Sequence, residues 1–230
     1  MKPIILNIET ATKFCSVAVS KGDELISIYE DFNGDHTAVL NTLIRSSLKE
    51  AAIDIQDLDA ISVNEGPGSY TALRVGLVTA KGIAYALDKP LILISGLEAL
   101  ALACHSQYPG REFYLSMLDA RRDEVYLSIY NANMEQIIPP QAVILNNELR
   151  EIVQLHEFKC VIGGNGALKW NTYIQNWHVE IANVESSAKH LIPLSFKKYE
   201  HKIFSSVNLA KPFYLKEPNI TVAKEKLINH

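Results

Sequence analysis

The sequence predicts an α/β protein of two similar lobes facing a cleft, and three observations point that way. A meander of three short apolar runs opens the chain, and a second meander opens near residue 112. Each is followed by alternating helix-patterned and strand-patterned segments, and turn residues punctuate them at short intervals. At 230 residues and 48% hydrophobic content, the chain can bury one large core or two modest ones.

Residues 4–8 are a short apolar run, 15–20 alternate large and small side chains, and 24–29 are apolar and β-branched, which makes the first meander. From His36 onward Val39, Leu40, Leu43, Ile44, Leu48 and Ala51 recur at helical spacing, with Asn41, Arg45, Lys49 and Glu50 opposite. That spacing predicts an amphipathic helix. A strand over 60–64, a helix over 71–87, a strand over 91–94 and a helix over 97–104 complete the order βββαβαβα. Strands at 112–118, 124–130 and 134–138 repeat the meander. A helix at 147–155, a strand at 159–162, the turn Gly163-Gly164-Asn165-Gly166 and a helix from Ala167 then give βββαβα again. The expected lobes are 1–107 and 108–215, with a tail at 216–230. A repeated element order places a ligand cleft between the two halves.

Composition narrows the function classes. A net charge of −4 and a pI near 6.0 argue against a general nucleic-acid binder. The apolar stretches are too short and too interrupted for a signal peptide or a membrane span, so a cytoplasmic protein without membrane attachment is expected. Cys15, Cys104 and Cys160 have no CxxC spacing and sit in apolar runs, where buried, reduced thiols are expected. The seven histidines include no pair three or four residues apart, so no metal site is predicted. No Ser, His and Asp constellation can be assembled either. From Ser186 onward the chain is net +5 against −9 for the remainder. That segment reads as a solvated amphipathic helix and tail, with Lys197, Lys198 and Lys202 as a candidate strip for phosphates or an acidic partner.

Three turns rich in small or hydroxyl residues could line a cleft: Ile8-Glu9-Thr10-Ala11-Thr12, Glu65-Gly66-Pro67-Gly68-Ser69-Tyr70-Thr71 and Gly163-Gly164-Asn165-Gly166. The second lies between a strand and a helix, with Ser69 or Thr71 as the expected cap, but it matches neither GxGxxG nor GxxxxGK[ST]. The candidate nucleotide residues are Thr10, Thr12, Gly66, Gly68, Gly164 and Gly166. His36, at a helix start, reads as capping or solvent-facing. The helix over 71–87 is apolar almost all round, which implies burial on more than one side. Ala72, Gly76, Ala80 and Ala84 form a line of small residues on it. This groove is filled either by the neighbouring helix of the same chain or by a partner.

Together Ile8-Glu9-Thr10-Ala11-Thr12, His36, the run from Gly66 to Gly76, Ala80-Lys81-Gly82, the run from Ser95 to Leu100, and Asp119-Ala120-Arg121 resemble the bacterial TsaB (YeaZ) family. Gly163 to Gly166 and Lys211-Pro212-Phe213-Tyr214-Leu215 resemble later landmarks more loosely. The resemblance implies the actin-like ATPase (ASKHA) fold of two ribonuclease-H-like lobes, with mixed sheets flanked by helices. It implies a subunit without catalytic residues, cofactor or metal of its own, serving as scaffold for TsaD in making threonylcarbamoyladenosine beside the anticodon of tRNAs that read codons starting with adenine. The ATPase TsaE would join the pair. The metal-binding His-x-x-x-His of the catalytic relative is missing here, and Glu9 stands where related proteins commonly carry Asp. The implied interface is Leu73, Gly76, Leu77, Ala80 and Ala84, which a homodimer could share, and Gly76→Leu is then expected to spare the fold while abolishing the complex. The alternatives are a small acetate- or sugar-kinase-like phosphotransferase, with Glu9, Gly66, Gly68 and Gly164 around the phosphates, and a metallopeptidase.

Overall fold

The computed structural model describes residues 1–145, 158–170 and 179–217. In β1 (Ile4–Glu9) nearly every residue is buried, which suits the middle of a sheet covered on both faces. β1 pairs antiparallel with β2 (Cys15–Lys21) and parallel with β4 (Ala60–Gly66). With β3 (Glu24–Asp31) and β5 (Leu91–Ser95) outside them, the first sheet has the order β3-β2-β1-β4-β5. Alternation divides its side chains between two cores. Leu6, Ile8, Val17, Val19, Ile61 and Val63 meet Leu40, Leu43, Ile44 and Leu48 of α1 (His36–Glu50) and Leu77, Ala80 and Ala84 of α2 (Tyr70–Leu87). Ile5, Ala60, Ile92 and Ile94 face the other way.

The second sheet has the order β10-β9-β6-β7-β8, built from β6 (Phe113–Asp119), β7 (Glu124–Asn131), β8 (Gln136–Ile144), β9 (Cys160–Gly163) and β10 (Val179–Ile181). One face packs with Trp170 of α4 (Ala167–Trp170). The other receives Leu97, Leu100, Ala101 and Cys104 of α3 (Gly96–Gln107). β8 runs further than the sequence predicts, through Pro139 and Pro140, because it is an edge strand whose outer side needs no ladder donors.

The last helix, α5 (Ala188–Glu200), falls within the span 108–215 expected as a second lobe. It returns to the first sheet, where Leu191 and Leu194 cover Ile5, Ala60 and Ile92, and Ile192 covers Ala18. Buried polar contacts fix its register: the Ser195 hydroxyl donates to Asn7 Oδ1 at 2.7 Å, and Ser16 Oγ accepts the Ala188 N–H at 2.8 Å. The chain then stays on the first lobe, where the Ser205 N–H donates to the Leu91 carbonyl at the edge of β5. The first lobe is therefore discontinuous in sequence. The helix expected at 147–155 lies outside the described residues. Among those described, no helix is long and apolar enough to cross a membrane.

Candidate functional site

Five turns and a C-terminal strap converge between the lobes around a cavity of about 650 Å³. Its walls come from the β1–β2 turn at Ala11 to Lys13, the start of α1 around His36, the start of α2 from Gly68 to Ala72, the β6–β7 hairpin from Leu118 to Arg121, Asn165, and residues 213–217. Backbone contacts hold these turns together. The Ser69 N–H donates to the Ala11 carbonyl at 2.7 Å, and a side chain at Gly68 would collide with Ala11, so only glycine lets the loops approach this closely. Asn165 Oδ1 accepts the Asp119 N–H at 2.9 Å, joining the glycine turn to the hairpin. Asp119 Oδ1 also accepts from the Arg121 N–H at 2.6 Å and from Lys169 at 2.5 Å. Arg121 and Arg122 are held at φ of 69° and 50°, a costly conformation for residues with a Cβ.

Of the six residues expected to cradle a nucleotide, Thr12 and Gly68 line the cavity. The other four do not line it and pack against neighbouring elements. Thr10 is fully buried against Gly76. Gly66 lies beneath the Phe213 carbonyl, 2.6 Å from where its Cβ would be. Gly164 packs on Met117 and Leu100, and Gly166 donates its N–H to the Met117 carbonyl at 3.0 Å. Glu9 is likewise structural. Its carboxylate, 1% exposed, accepts from the Ala11 N–H at 2.7 Å, Asn64 Nδ2 at 2.6 Å and the Ser186 hydroxyl at 3.3 Å. Burial pushes its pKa up, against those hydrogen bonds. The phosphotransferase alternative thus loses most of its cradle.

The residues expected at a partner interface lie on the inner side of α2. Leu73, Gly76, Leu77, Ala80 and Ala84 are all buried within the chain. The line of small residues lets α2 sit close on its own sheet, with Gly76 seated on the Thr10 side chain. The face of α2 left open carries Thr71, Arg74, Val78, Gly82 and Tyr85, of which Val78 is 68% and Tyr85 77% exposed. In the basic segment, Lys198 Nζ is committed to the Leu93 carbonyl at 2.7 Å, while Lys197 and Lys202 are exposed.

Sequence reasoning missed the strap and the burial of His36. The strap runs along α2: Lys81 holds the Ala210 carbonyl at 3.0 Å, and the Phe213 N–H donates to the Glu65 carbonyl at 2.7 Å. Tyr214 then stacks on Tyr70 at 4.3 Å. The Arg74 guanidinium lies 4.0 Å over the Tyr70 ring and donates to both tyrosine hydroxyls, at 2.6 and 3.0 Å. Lys216 reaches the second lobe at Glu124. The available signal was the aromatic Lys211-Pro212-Phe213-Tyr214-Leu215 run. His36 is 8% exposed, Asp35 takes the capping role by accepting the Ala38 N–H, and neither Ser69 nor Thr71 caps α2 through its side chain.

Two sheets of this topology, joined by crossing helices around a cleft, make the actin-like ATPase fold. The activator of 2-hydroxyisocaproyl-CoA dehydratase from Clostridium difficile, solved with bound ADPNP, shares the fold at a TM-score of 0.55 and 9% identity over 88% of this chain and 98% of its own. Two solved YeaZ-type structures from Pseudomonas aeruginosa superpose at TM-scores of 0.79 and 0.73, with 23% and 24% identity, over 93% of this chain and 100% of theirs. The sequence model described as tRNA N6-adenosine threonylcarbamoyltransferase (TsaD) matches residues 30–162, more than half of the chain. Relatives named tRNA threonylcarbamoyladenosine biosynthesis protein TsaB include those of Bacillus subtilis, 35% identical over 61% of this chain and 62% of the relative, and Escherichia coli, 27% identical over 97% of both. The chain belongs to the TsaD-related family and, within it, to the TsaB (YeaZ) family.

Proposed function

We propose that this chain is the non-catalytic partner subunit of TsaD in a cytoplasmic complex that forms threonylcarbamoyladenosine in tRNA. The family places it in threonylcarbamoyladenosine biosynthesis. The observation that carries the subunit reading is the open face of α2, where the large side chains of Val78 and Tyr85 stand exposed opposite the buried line of Leu73, Gly76, Leu77, Ala80 and Ala84. Large exposed apolar side chains aligned on one helix face suit a partner helix. The chemistry of the cleft agrees with a scaffold: Asp119 is spent on Lys169, Lys216 on Glu124, and Glu9 on three internal donors. On this reading TsaE joins the assembled pair, tRNAs reading codons that start with adenosine are modified, and the same α2 face closes a homodimer when TsaD is absent.

The test is light scattering on a sizing column. Wild-type chain mixed with TsaD should elute as a heterodimer, whereas Val78→Asp with Tyr85→Asp should elute apart from TsaD with its circular dichroism unchanged. A doubly substituted chain that still bound TsaD would remove α2 as the interface. Threonylcarbamoyl transfer to tRNA by the chain without TsaD would overturn the non-catalytic assignment.

A further inference from the structure

The chain contains two Asn-Gly pairs, Asn33-Gly34 and Asn165-Gly166, and the fold treats them in opposite ways. An asparagine followed by glycine is chemically labile in water, because a residue without a side chain leaves its amide nitrogen open to the neighbouring side-chain carbonyl carbon.

Asn165-Gly166 is locked. Gly166 is buried, its N–H donates to the Met117 carbonyl at 3.0 Å, and Asn165 Oδ1 accepts the Asp119 N–H at 2.9 Å. The nitrogen that would attack is engaged and the amide that would be attacked is pinned, so reaction there must wait for the turn to open.

Asn33-Gly34, between β3 and α1, is open on each count. Both residues are exposed. Among the described residues the Gly34 N–H has no acceptor and Asn33 Oδ1 has no donor. Gly34 sits at a φ of 85°, and a Cβ there would meet only the Lys13 carbonyl, 3.7 Å away. Asp31 alone holds Asn33: its carboxylate accepts from the Asn33 N–H at 3.0 Å and from Nδ2 at 2.8 Å. Both bonds lie at the surface, where water competes for them.

We propose that Asn33 is a site of spontaneous deamidation, with water as the co-reactant. The Gly34 nitrogen, its proton taken by solvent base, bonds to Asn33 Cγ, while the Cγ–Nδ2 bond breaks and Nδ2 leaves as ammonia. Water then opens the succinimide ring. Opening at Cγ leaves aspartate, and opening at the backbone carbonyl leaves isoaspartate, whose main chain runs through the former side chain. The chain gains water and loses ammonia, and nothing is oxidised or reduced. Either product adds a negative charge between Asp31 and Asp35, and isoaspartate also adds a methylene to the main chain. The change falls on the cleft. Gly34, Asp35 and His36 line it, Asp35 caps the Ala38 N–H, and the Gly34 carbonyl accepts from His36 Nδ1 at 3.1 Å.

The experiment ages the full wild-type chain in ¹⁸O-water at neutral and mildly alkaline pH, both native and in guanidinium, and then digests it with trypsin in ordinary water. The two sites fall in different peptides, 22–45 and 160–169, and fragment spectra separate Asn33 from Asn41. In the native chain the label should enter at Asn33 about tenfold faster than at Asn165 or more, because two hydrogen bonds must open at the latter. The Asn33 rate should rise with pH, since the attacking nitrogen must lose its proton, and in guanidinium the two rates should converge. The deamidated form, isolated by anion exchange, should show shifted Thr37 and Ala38 amides in ¹⁵N spectra. An Asn33 that stays intact in the native chain, equal native rates at the two sites, or a difference that survives in guanidinium overturns the proposal. Thr37 and Ala38 amides that stay in place overturn the effect on the cleft.

Discussion

At the scale of single residues, two glycines of α2 have opposite surroundings and predict opposite outcomes. An added Cβ at Gly82 meets nothing within 4 Å, so Gly82→Ala should stabilise the chain by up to about 1 kcal/mol through helix propensity alone. An added Cβ at Gly76 collides with the Thr10 side chain. Gly76→Ala should therefore destabilise despite the same propensity gain, and Gly76→Leu should cost about 3 kcal/mol or more by overpacking. Urea unfolding of the three variants checks this, and a Gly76→Leu chain as stable as wild type would restore the partner groove. His190 gives a pH signature. Burial and the neighbouring Lys189 lower its pKa to about 4, against weaker raising contributions from Glu185 and Glu30. Between pH 4 and about 6.5 the unfolded chain then binds more protons than the folded one, so stability rises with pH across that window. The gain is about 2–3 kcal/mol, complete above pH 6.5 and lost as pH falls toward 4. His190→Leu should flatten urea midpoints over pH 4.5–7 relative to wild type. The three thiols, pushed up to about 12 by burial, should react with a disulfide reagent only on unfolding.

Elements show what was legible in the sequence and what was not. The meanders, α1, α2 and α3 follow from apolar periodicity, because each buries a continuous stripe on an adjacent sheet. Which side of α2 faces inward was not legible: a helix apolar nearly all round gives periodicity no contrast, and only the fit of Gly76 on Thr10 decides it. The return of α5 to the first sheet was hidden for a different reason. Its partners, Asn7 and Ser16, lie some 180 residues earlier, and nothing local encodes them. The strap was legible only as an aromatic run, since its structure consists of long-range contacts to Glu65, Tyr70 and Arg74. Tyr214→Ala removes the ring stack and one hydroxyl that holds Arg74, and should cost about 1–2 kcal/mol. It should also speed tryptic cleavage after Lys216 relative to wild type, whereas an unchanged digestion rate would mean that the stack does not hold the strap.

For the whole molecule the question is whether two sheets behave as two folding units. The geometry argues for one, because α3 has a face in each half. Leu97, Leu100 and Cys104 pack under the second sheet, while Ala99 and Leu102 pack with Ile92, Ile94 and Leu191 behind the first. The Ser116 hydroxyl on β6 donates to the Leu97 carbonyl at 2.5 Å, and Glu9 ties the floor of the first lobe to Ser186 just before α5. Melting the second sheet would strip one face of α3, whose other face packs with α5 behind the first sheet, so the loss would carry across to the first lobe. Such shared burial makes the transition cooperative. Both tryptophans, Trp170 and Trp177, lie in the second half of the sequence, so their fluorescence follows that half, while far-ultraviolet circular dichroism follows the whole chain. The two probes should give coincident urea transitions. Leu100→Ala, at a site 1% exposed, should move both midpoints together by the equivalent of about 2–5 kcal/mol. A fluorescence transition that preceded the dichroism transition, or a Leu100→Ala shift confined to fluorescence, would show that the lobes unfold independently and that the crossing helices link them without coupling them.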